Sequence, residues 1–472
     1  MSGKKSRDIF MEQLQLMKTT IRKQIAEGDI QVGEYLPSEL VLAETYELSK
    51  NSVRKGLEDL VEEGLIVKKS RIGNQVVSIK PFNPIILRVG YYPSLMNEVK
   101  FDDLIRLFEK EYPNIKVKTI ALSYENYHLT LRDFFMNDMI DVVTINFKDF
   151  YECKDQSESL FEPMEYNPTI YSFLQKPFES DCIKENLMVQ PFVFSPIVFC
   201  YNRAHFDQDH IPYPDSSWKW EDALETSKTL MGEDQDGKVC GLYFHPFSLN
   251  RWPIFMMQNG VQFEKDLDGE IQFPYEELLE STAFIRTMFE EQGILQTFLS
   301  DNNRDAEQLF IDNKTSMIIA SYFTLNEFRK HSIEYDIAPL PYFKYPKTIL
   351  LIIGLAINKH STRKHAAEQF VSFMSGEKVQ EYIRIHTLSL PAVKRIAEKQ
   401  GEEKVYKPSR FQLFREIIPS FCLYTDLGLE SNELAEVRNE LRLYLSGATD
   451  HDSFYERLKG KLSRSAKYEQ IT

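Results

Sequence analysis

The 472-residue chain holds only five cysteines and three tryptophans. Cys153, Cys182, Cys200, Cys240 and Cys422 are odd in number, widely spaced and without a Cys-x-x-Cys pair. That excludes a disulfide framework or a cysteine zinc site as the organising feature. The longest apolar run, Ile349 to Ile357, falls far short of the ~20 residues a membrane-spanning helix needs. A leader pattern is missing too: Lys4 and Lys5 precede Phe10, Leu14, Met17, Ile21 and Ile25, which recur at helical spacing instead of forming one apolar block. A cytoplasmic protein with no membrane partner is therefore expected. Catalytic signatures are absent as well. There is no Gly-x-Ser-x-Gly, no His-Glu-x-x-His and no glycine-rich phosphate loop, and the nine histidines are scattered. Glu264-x-Asp266-x-Asp268-Gly269 opens like a calcium loop, but its twelfth position is Tyr275 rather than Glu, so a polar hairpin is the better reading. The expectation is no catalytic residue, no metal and no cofactor.

Positive charge is scarce overall, with a net of −15, yet it is unevenly placed. Residues 1–80 carry 13 Lys and Arg against 12 Asp and Glu, whereas the remaining 392 carry 43 against 59. The acidity belongs to the C-terminal part. Within the first part, Pro37 and Ser38 can open a helix with Leu40, Leu42 and Ala43 on its apolar side. After a turn, Ser49 can cap a second helix with Val53, Leu57 and Leu60 at helical spacing up to Gly64. Leu65 to Lys69 and Gln75 to Ile79 can then pair around a basic tip, Ser70-Arg71-Ile72-Gly73-Asn74. Helix, turn, helix and basic hairpin make a winged helix-turn-helix, whose second helix enters the major groove N-terminus first. Arg can bond a guanine edge there, Asn an adenine edge, and Lys or Ser a phosphate.

The residues from about Met17 to Val77 resemble the DNA-binding domain of the GntR family. The likeness is carried by Leu36-Pro37-Ser38-Glu39, Leu42-Ala43, Leu48-Ser49-Lys50, Val53-Arg54, Leu57, Leu60 and Glu63-Gly64-Leu65-Ile66. By position, the resemblance implies recognition-helix contacts from Ser49, Lys50, Asn51, Ser52 and Arg54, with Arg71, Gly73 and Asn74 at the wing. Ser38 and Lys69 complete the candidate DNA-binding set. A single head with so few basic residues binds weakly, so a homodimer on a two-fold operator is expected.

Residues 79–84 read as a short stiff linker with two prolines between a head over residues 1–78 and an effector domain over residues 85–472. Ile85 to Tyr91 reads as a strand, Phe101 to Tyr112 as a helix and Ile115 to Ile120 as a strand. Tyr124 to Asn137 follows as a helix and Ile140 to Ile145 as a strand. This alternation predicts an α/β domain with a parallel sheet whose ligands collect beyond the C-terminal strand ends. Further strands are expected near Val189 to Tyr201, Ser316 to Ser321 and Ile349 to Ile357, and mostly helix from Arg363 onward.

The span from Ile85 to Leu462 resembles the sugar-type extracellular solute-binding proteins. It does so through Phe108-Glu109-Lys110-Glu111-Tyr112-Pro113-Asn114-Ile115, Asp236-Gly237-Lys238, Ala338-Pro339-Leu340-Pro341 and Ala356-Ile357-Asn358-Lys359, in that order. The resemblance implies a two-lobed, periplasmic-binding-protein-like α/β fold that closes on a sugar. Such a site needs aromatic faces for the C–H faces of a pyranose and amide or carboxylate groups for its hydroxyls. Trp252, in a polar turn-like context, is one candidate. Tyr322, where relatives place a stacking aromatic, and Tyr92, just after the first strand, are others, with Asn146 and Asn250 as polar partners. For each aromatic the competing reading is an ordinary core position. Together the two halves predict a ligand-responsive transcriptional regulator that binds operator DNA and a small, sugar-like effector. The alternative is a carbohydrate-acting enzyme tethered to DNA.

Overall fold

The computed structural model describes residues 2–70, 72–77, 84–180, 186–234, 237–266, 270–291 and 303–469. By contact the chain divides into two units, residues 1–88 with 105–118, and residues 89–104 with 119–472. The division falls after Arg88, whereas the linker expected at 79–84 lies, except for Pro84, outside the described residues.

The head begins with a long helix, α1 (Ser2–Glu27), followed by α2 (Glu39–Thr45), α3 (Lys50–Glu62) and a hairpin of β1 (Ile66–Lys69) and β2 (Gly73–Val76). Both expected caps are present: Ser38 accepts from Val41 N–H at 3.3 Å and Ser49 from Ser52 N–H at 3.2 Å. The stripe Leu14, Met17, Ile21 and Ile25 of α1 packs with Leu42, Val53, Leu57, Leu60, Ile66 and Val76 into one small core. Gly56 permits this approach, since a Cβ there would stand 2.7 Å from Met17 Cε and 2.9 Å from Leu14 Cδ1. Lys18–Asp59 at 2.8 Å and Arg22–Glu63 at 2.6 Å tie α1 to α3 at the rim. The hairpin is tighter than the sequence reading expects. Lys69 pairs with Gly73 and Lys68 with Asn74, because Gly73, at φ +139°, can join the ladder straight out of the turn.

Beyond the head, the chain forms β3 (Ile85–Tyr91), β4 (Ile115–Ala121), β5 (Val142–Asn146), β6 (Gln190–Asn202), β7 (Gly232–Asp234), β8 (Gly237–Tyr243), β9 (Thr315–Ser321), β10 (Tyr335–Ala338) and β11 (Thr348–Ile357). Two short strands, β12 (Leu390–Pro391) and β13 (Phe421–Cys422), complete the set. Their order is β4-β3-β5-β11-β6-β9-β8-β7, with β10 and β12 also on β6 and β13 on β11. The sheet is mixed rather than wholly parallel: β3 and β5 run parallel, but β11 is antiparallel to both β5 and β6. All thirteen residues of β6 are buried. Its first half pairs with β11 and its second half with β9 and β10, so this one strand joins the two halves of the sheet.

The helices that matter for the site are α4 (Leu95–Glu98), α5 (Phe101–Glu111), α6 (Tyr127–Met136), α7 (Phe147–Glu152), α8 (Trp252–Asn259), α9 (Arg304–Ile311) and α10 (Leu325–Phe328). The C-terminal part is less helical than expected. Helices at Lys364–Met374, Glu377–His386, Ser431–Leu445 and His451–Glu469 flank a stretch of short turns and 3-10 segments. Pro391, Gly401, Pro408, Pro419 and Gly428 break any long helix there. Among the described residues no helix is long and apolar enough to cross a membrane.

Candidate functional site

Where β5 ends, Asn146 caps α7 by accepting the Asp149 N–H at 2.8 Å, while its own amide N–H donates to Asp149 Oδ2 at 2.8 Å. Tyr92, just past β3, lies beneath. Its hydroxyl donates to Asp149 and accepts the Asn146 N–H at 3.1 Å. The Tyr92 ring is stacked between Tyr127, with centroids 4.5 Å apart, and Tyr124, 4.8 Å away and 7° from parallel. Burial raises the Asp149 carboxyl, while Lys148, 3.5 Å away, and the Tyr92 hydroxyl pull it down. Tyr124 is the outermost ring of this three-ring stack and is 52% exposed.

Tyr124 lines a cavity of about 500 Å³ together with Asn146, Asn250, Arg251, Phe323, Tyr424, Glu98, Glu307 and the stretch Ile349–Ile353 of β11. Arg251, also in the lining, is 3% exposed and its guanidinium is held by backbone carbonyls: Nε donates to Ile319 O at 3.1 Å and Nη1 to Asn250 O at 3.0 Å. Burial pulls its pKa down to about 10, against the opposing charge of Glu307. Glu307 accepts from Thr324 Oγ1 at 3.1 Å, and burial pushes its carboxyl up. Among the described residues, three buried polar atoms of the lining have no hydrogen-bond partner: Glu98 Oε2, Asn303 Oδ1 and Tyr424 Oη.

Glu98 is the most perturbed acid of the lining. Burial pushes its carboxyl up to about 7 from 4.5; the Ser94 hydroxyl opposes this and Glu307 and Glu327 add to it. The folded protein thus keeps this proton through a pH range in which the unfolded chain has lost it, so stability should fall as pH rises from about 4.5 to about 7. Glu98→Gln should flatten that part of a urea-midpoint-versus-pH curve. A slope identical to wild type would assign the proton to another group.

Sequence reasoning places some candidates at the cavity and others not. Asn146 and Asn250 line it. Tyr92 is completely buried one layer behind, as the support of Tyr124. Trp252 and Tyr322 call for correction: both are 0% exposed and neither lines the cavity. Trp252 opens α8, a helix buried on every side, so its ring enters the core while the preceding Asn250 and Arg251 reach the cavity. Tyr322 donates to Phe411 O at 2.8 Å, accepts from Phe414 N–H at 3.1 Å and packs edge-on against both rings. The sequence reading misses Tyr124, Glu98, Asp149, Arg251, Phe323 and Tyr424. Position just beyond the C-terminal end of a strand is a signal that could have raised Tyr124.

On the head, Lys50 and Asn51 at the start of α3, Arg54 one turn on, and Lys69 beside the turn are exposed. Ser38 and Ser49 are exposed too, with their hydroxyls engaged as caps, and Ser52 lies 2.6 Å from Ser49, oxygen to oxygen. Gly73 is partly covered within the ladder. Asn74 needs correction as a wing contact: it is 6% exposed, because β2 starts two residues earlier than expected and its carbonyl accepts Leu36 N–H at 2.9 Å. Arg71 lies outside the described residues. Among the described residues no cluster of His, Cys, Asp and Glu could hold a metal ion.

Comparison with known proteins matches residues 92–381 to the bacterial extracellular solute-binding proteins and residues 17–76 to the gntR family of bacterial regulatory proteins. A probable fructoselysine utilization operon transcriptional repressor of Escherichia coli K12 is 32% identical over 81 residues, 16% of this chain. The match spans about a third of that relative's length (33%). Among solved structures, an ABC substrate-binding protein of Listeria monocytogenes in complex with cycloalternan superposes at a TM-score of 0.69 with 18% identity, covering 81% of this chain and 99% of that one. A solute-binding protein of Thermotoga lettingae bound with α-D-tagatose gives 0.66 with 15% identity over 81% and 100% of the two chains. At these identities the structures establish the shared fold. The chain belongs to the family of bacterial extracellular solute-binding proteins and carries, ahead of that domain, a DNA-binding head of the gntR regulatory family.

Proposed function

We propose that this protein is a ligand-responsive transcriptional regulator. On this reading α3 and the β1–β2 wing bind operator DNA, and the cavity beside Tyr124 binds a small polyhydroxylated solute, a sugar or short oligosaccharide. The observation that carries the ligand reading is the juxtaposition in one cavity of a half-exposed aromatic ring with three buried polar atoms that have no partner among the described residues. An open ring face suits the C–H face of a pyranose, and unpaired buried acceptors are stabilised by hydroxyl donors. A volume of about 500 Å³ lies within the roughly 300–1,000 Å³ of small-molecule sites. The cycloalternan and tagatose held by the similar solved structures support the same ligand class. The protein works in the cytoplasm as a homodimer, without a cofactor, and residues 79–84 connect head and sensor. It binds its ligand and returns it unchanged.

A melting screen of the full-length protein against mono- and oligosaccharides tests this. At 100 times its Kd, a ligand adds about 2.7 kcal/mol of stability. At least one sugar should raise the melting temperature and be recovered intact. No shift across the panel would overturn the sugar reading, and turnover of a stabilising sugar would favour an enzyme.

A further inference from the structure

In the run Leu36-Pro37-Ser38-Glu39, Leu36 enters the head core and Ser38 caps α2, which leaves Glu39 without a structural task of that kind. Its carboxylate is engaged nonetheless. Arg54 of α3 donates Nη2–H to Glu39 Oε2 at 2.8 Å and Nε–H to Oε1 at 3.4 Å, and Lys68 Nζ of β1 stands 3.9 Å from the same Oε1. One carboxylate on the first helix of the motif thus gathers a cation from the second helix and a cation from the wing. Arg54 keeps the Glu39 carboxyl below its usual range, so the group stays charged.

A carboxylate that takes Nε and Nη2 side-on fixes the guanidinium plane, and Nη1 has no protein partner among the described residues. End-on bonding to guanine O6 and N7 needs a guanidinium held in one plane with N–H groups to spare. An unrestrained Arg carries about 2 kcal/mol of rotamer entropy and can turn to a phosphate on any sequence. Glu39 is itself repelled by phosphates.

We propose that Glu39 is a positioning residue that sets base-pair discrimination: it holds Arg54 in one orientation for a base edge and keeps Lys68 off the backbone of non-cognate DNA. The inference rests on the reading of α3 as the base-reading helix. A merely structural ion pair at so exposed a place is worth little, and its loss would weaken binding to every duplex alike or not at all.

The test starts with duplexes selected from a random library by the full-length wild-type protein. Affinities of wild type, Glu39→Gln, Glu39→Ala and Arg54→Ala are then measured by anisotropy on the selected duplex, on its single-base-pair variants and on a scrambled duplex. Each is repeated at several salt concentrations, with thermal melts of every variant. Glu39→Gln and Glu39→Ala should bind the scrambled duplex more tightly than wild type, with a salt slope steeper by about one as Lys68 becomes available to a phosphate. Both should lose about tenfold in discrimination at one base pair per half-site, the same position at which Arg54→Ala loses it. Unchanged discrimination in both Glu39 variants beside its loss in Arg54→Ala would overturn the positioning role alone. Discrimination retained in Arg54→Ala would overturn the base-reading assignment and the inference with it.

Discussion

Tyr124→Ala is expected to remove nearly all of the melting shift that a bound sugar gives the wild-type protein. The ring stacks on Tyr92 and the residue is 52% exposed, so its removal takes away a ligand surface while leaving the core intact. Loss of an aromatic platform forfeits the buried apolar area as well as about 0.5–1.5 kcal/mol of ring-specific contact. A hundredfold weaker affinity follows if the two together reach about 2.7 kcal/mol. At a ligand concentration that adds about 2.7 kcal/mol to wild type, the variant would then gain about 0.4 kcal/mol. Tyr124→Phe should keep most of the shift. Trp252→Phe and Tyr322→Phe supply the contrast, because both rings lie in the core: they should lower the melting temperature without ligand and leave ligand affinity near wild type. A full shift in Tyr124→Ala would move the ligand away from the three-ring stack.

These contrasts also mark how far the sequence was legible. The head reads well because its signals are local: Ser38 and Ser49 cap as expected, and the stripe from Leu14 to Ile25 lands on the core. Strands β5, β6, β9 and β11 fall within a few residues of their expected places, since buried β-branched runs announce themselves. What failed depends on pairing or on tertiary surroundings. The start of β2 turns on Gly73 adopting φ +139°, which moves Asn74 from an exposed tip into cover. Trp252 has polar neighbours in sequence, yet it begins a helix enclosed on all sides. Tyr322 satisfies its hydroxyl with two backbone groups some ninety residues onward, a pairing no local pattern encodes. Tyr124 is singled out only by the rings stacked behind it, Tyr92 just past β3 and Tyr127 at the start of α6.

The other large effect joins sensor and reader. A ligand can change operator affinity only as far as its own affinity differs between the DNA-bound and free states of the protein. The two effects are then one coupling free energy seen from two sides, and sites coupled in this way differ by about 5–150-fold. The sign is open to experiment, since a corepressor and an inducer obey the same relation. Tyr124→Ala should abolish the response to sugar while keeping operator affinity without sugar near wild type, and Arg54→Ala should do the reverse.

The most direct measurement closes this cycle on the wild-type protein. The selected duplex is titrated with protein in the absence and presence of saturating sugar, and the sugar is titrated into free protein and into the protein–DNA complex. A sugar-responsive regulator gives two affinity ratios that differ from one and agree with each other, within the range of about 5–150. Tight binding of both partners with both ratios equal to one would contradict the account, leaving a sugar-binding domain and a DNA-binding head that share a chain without sharing a signal.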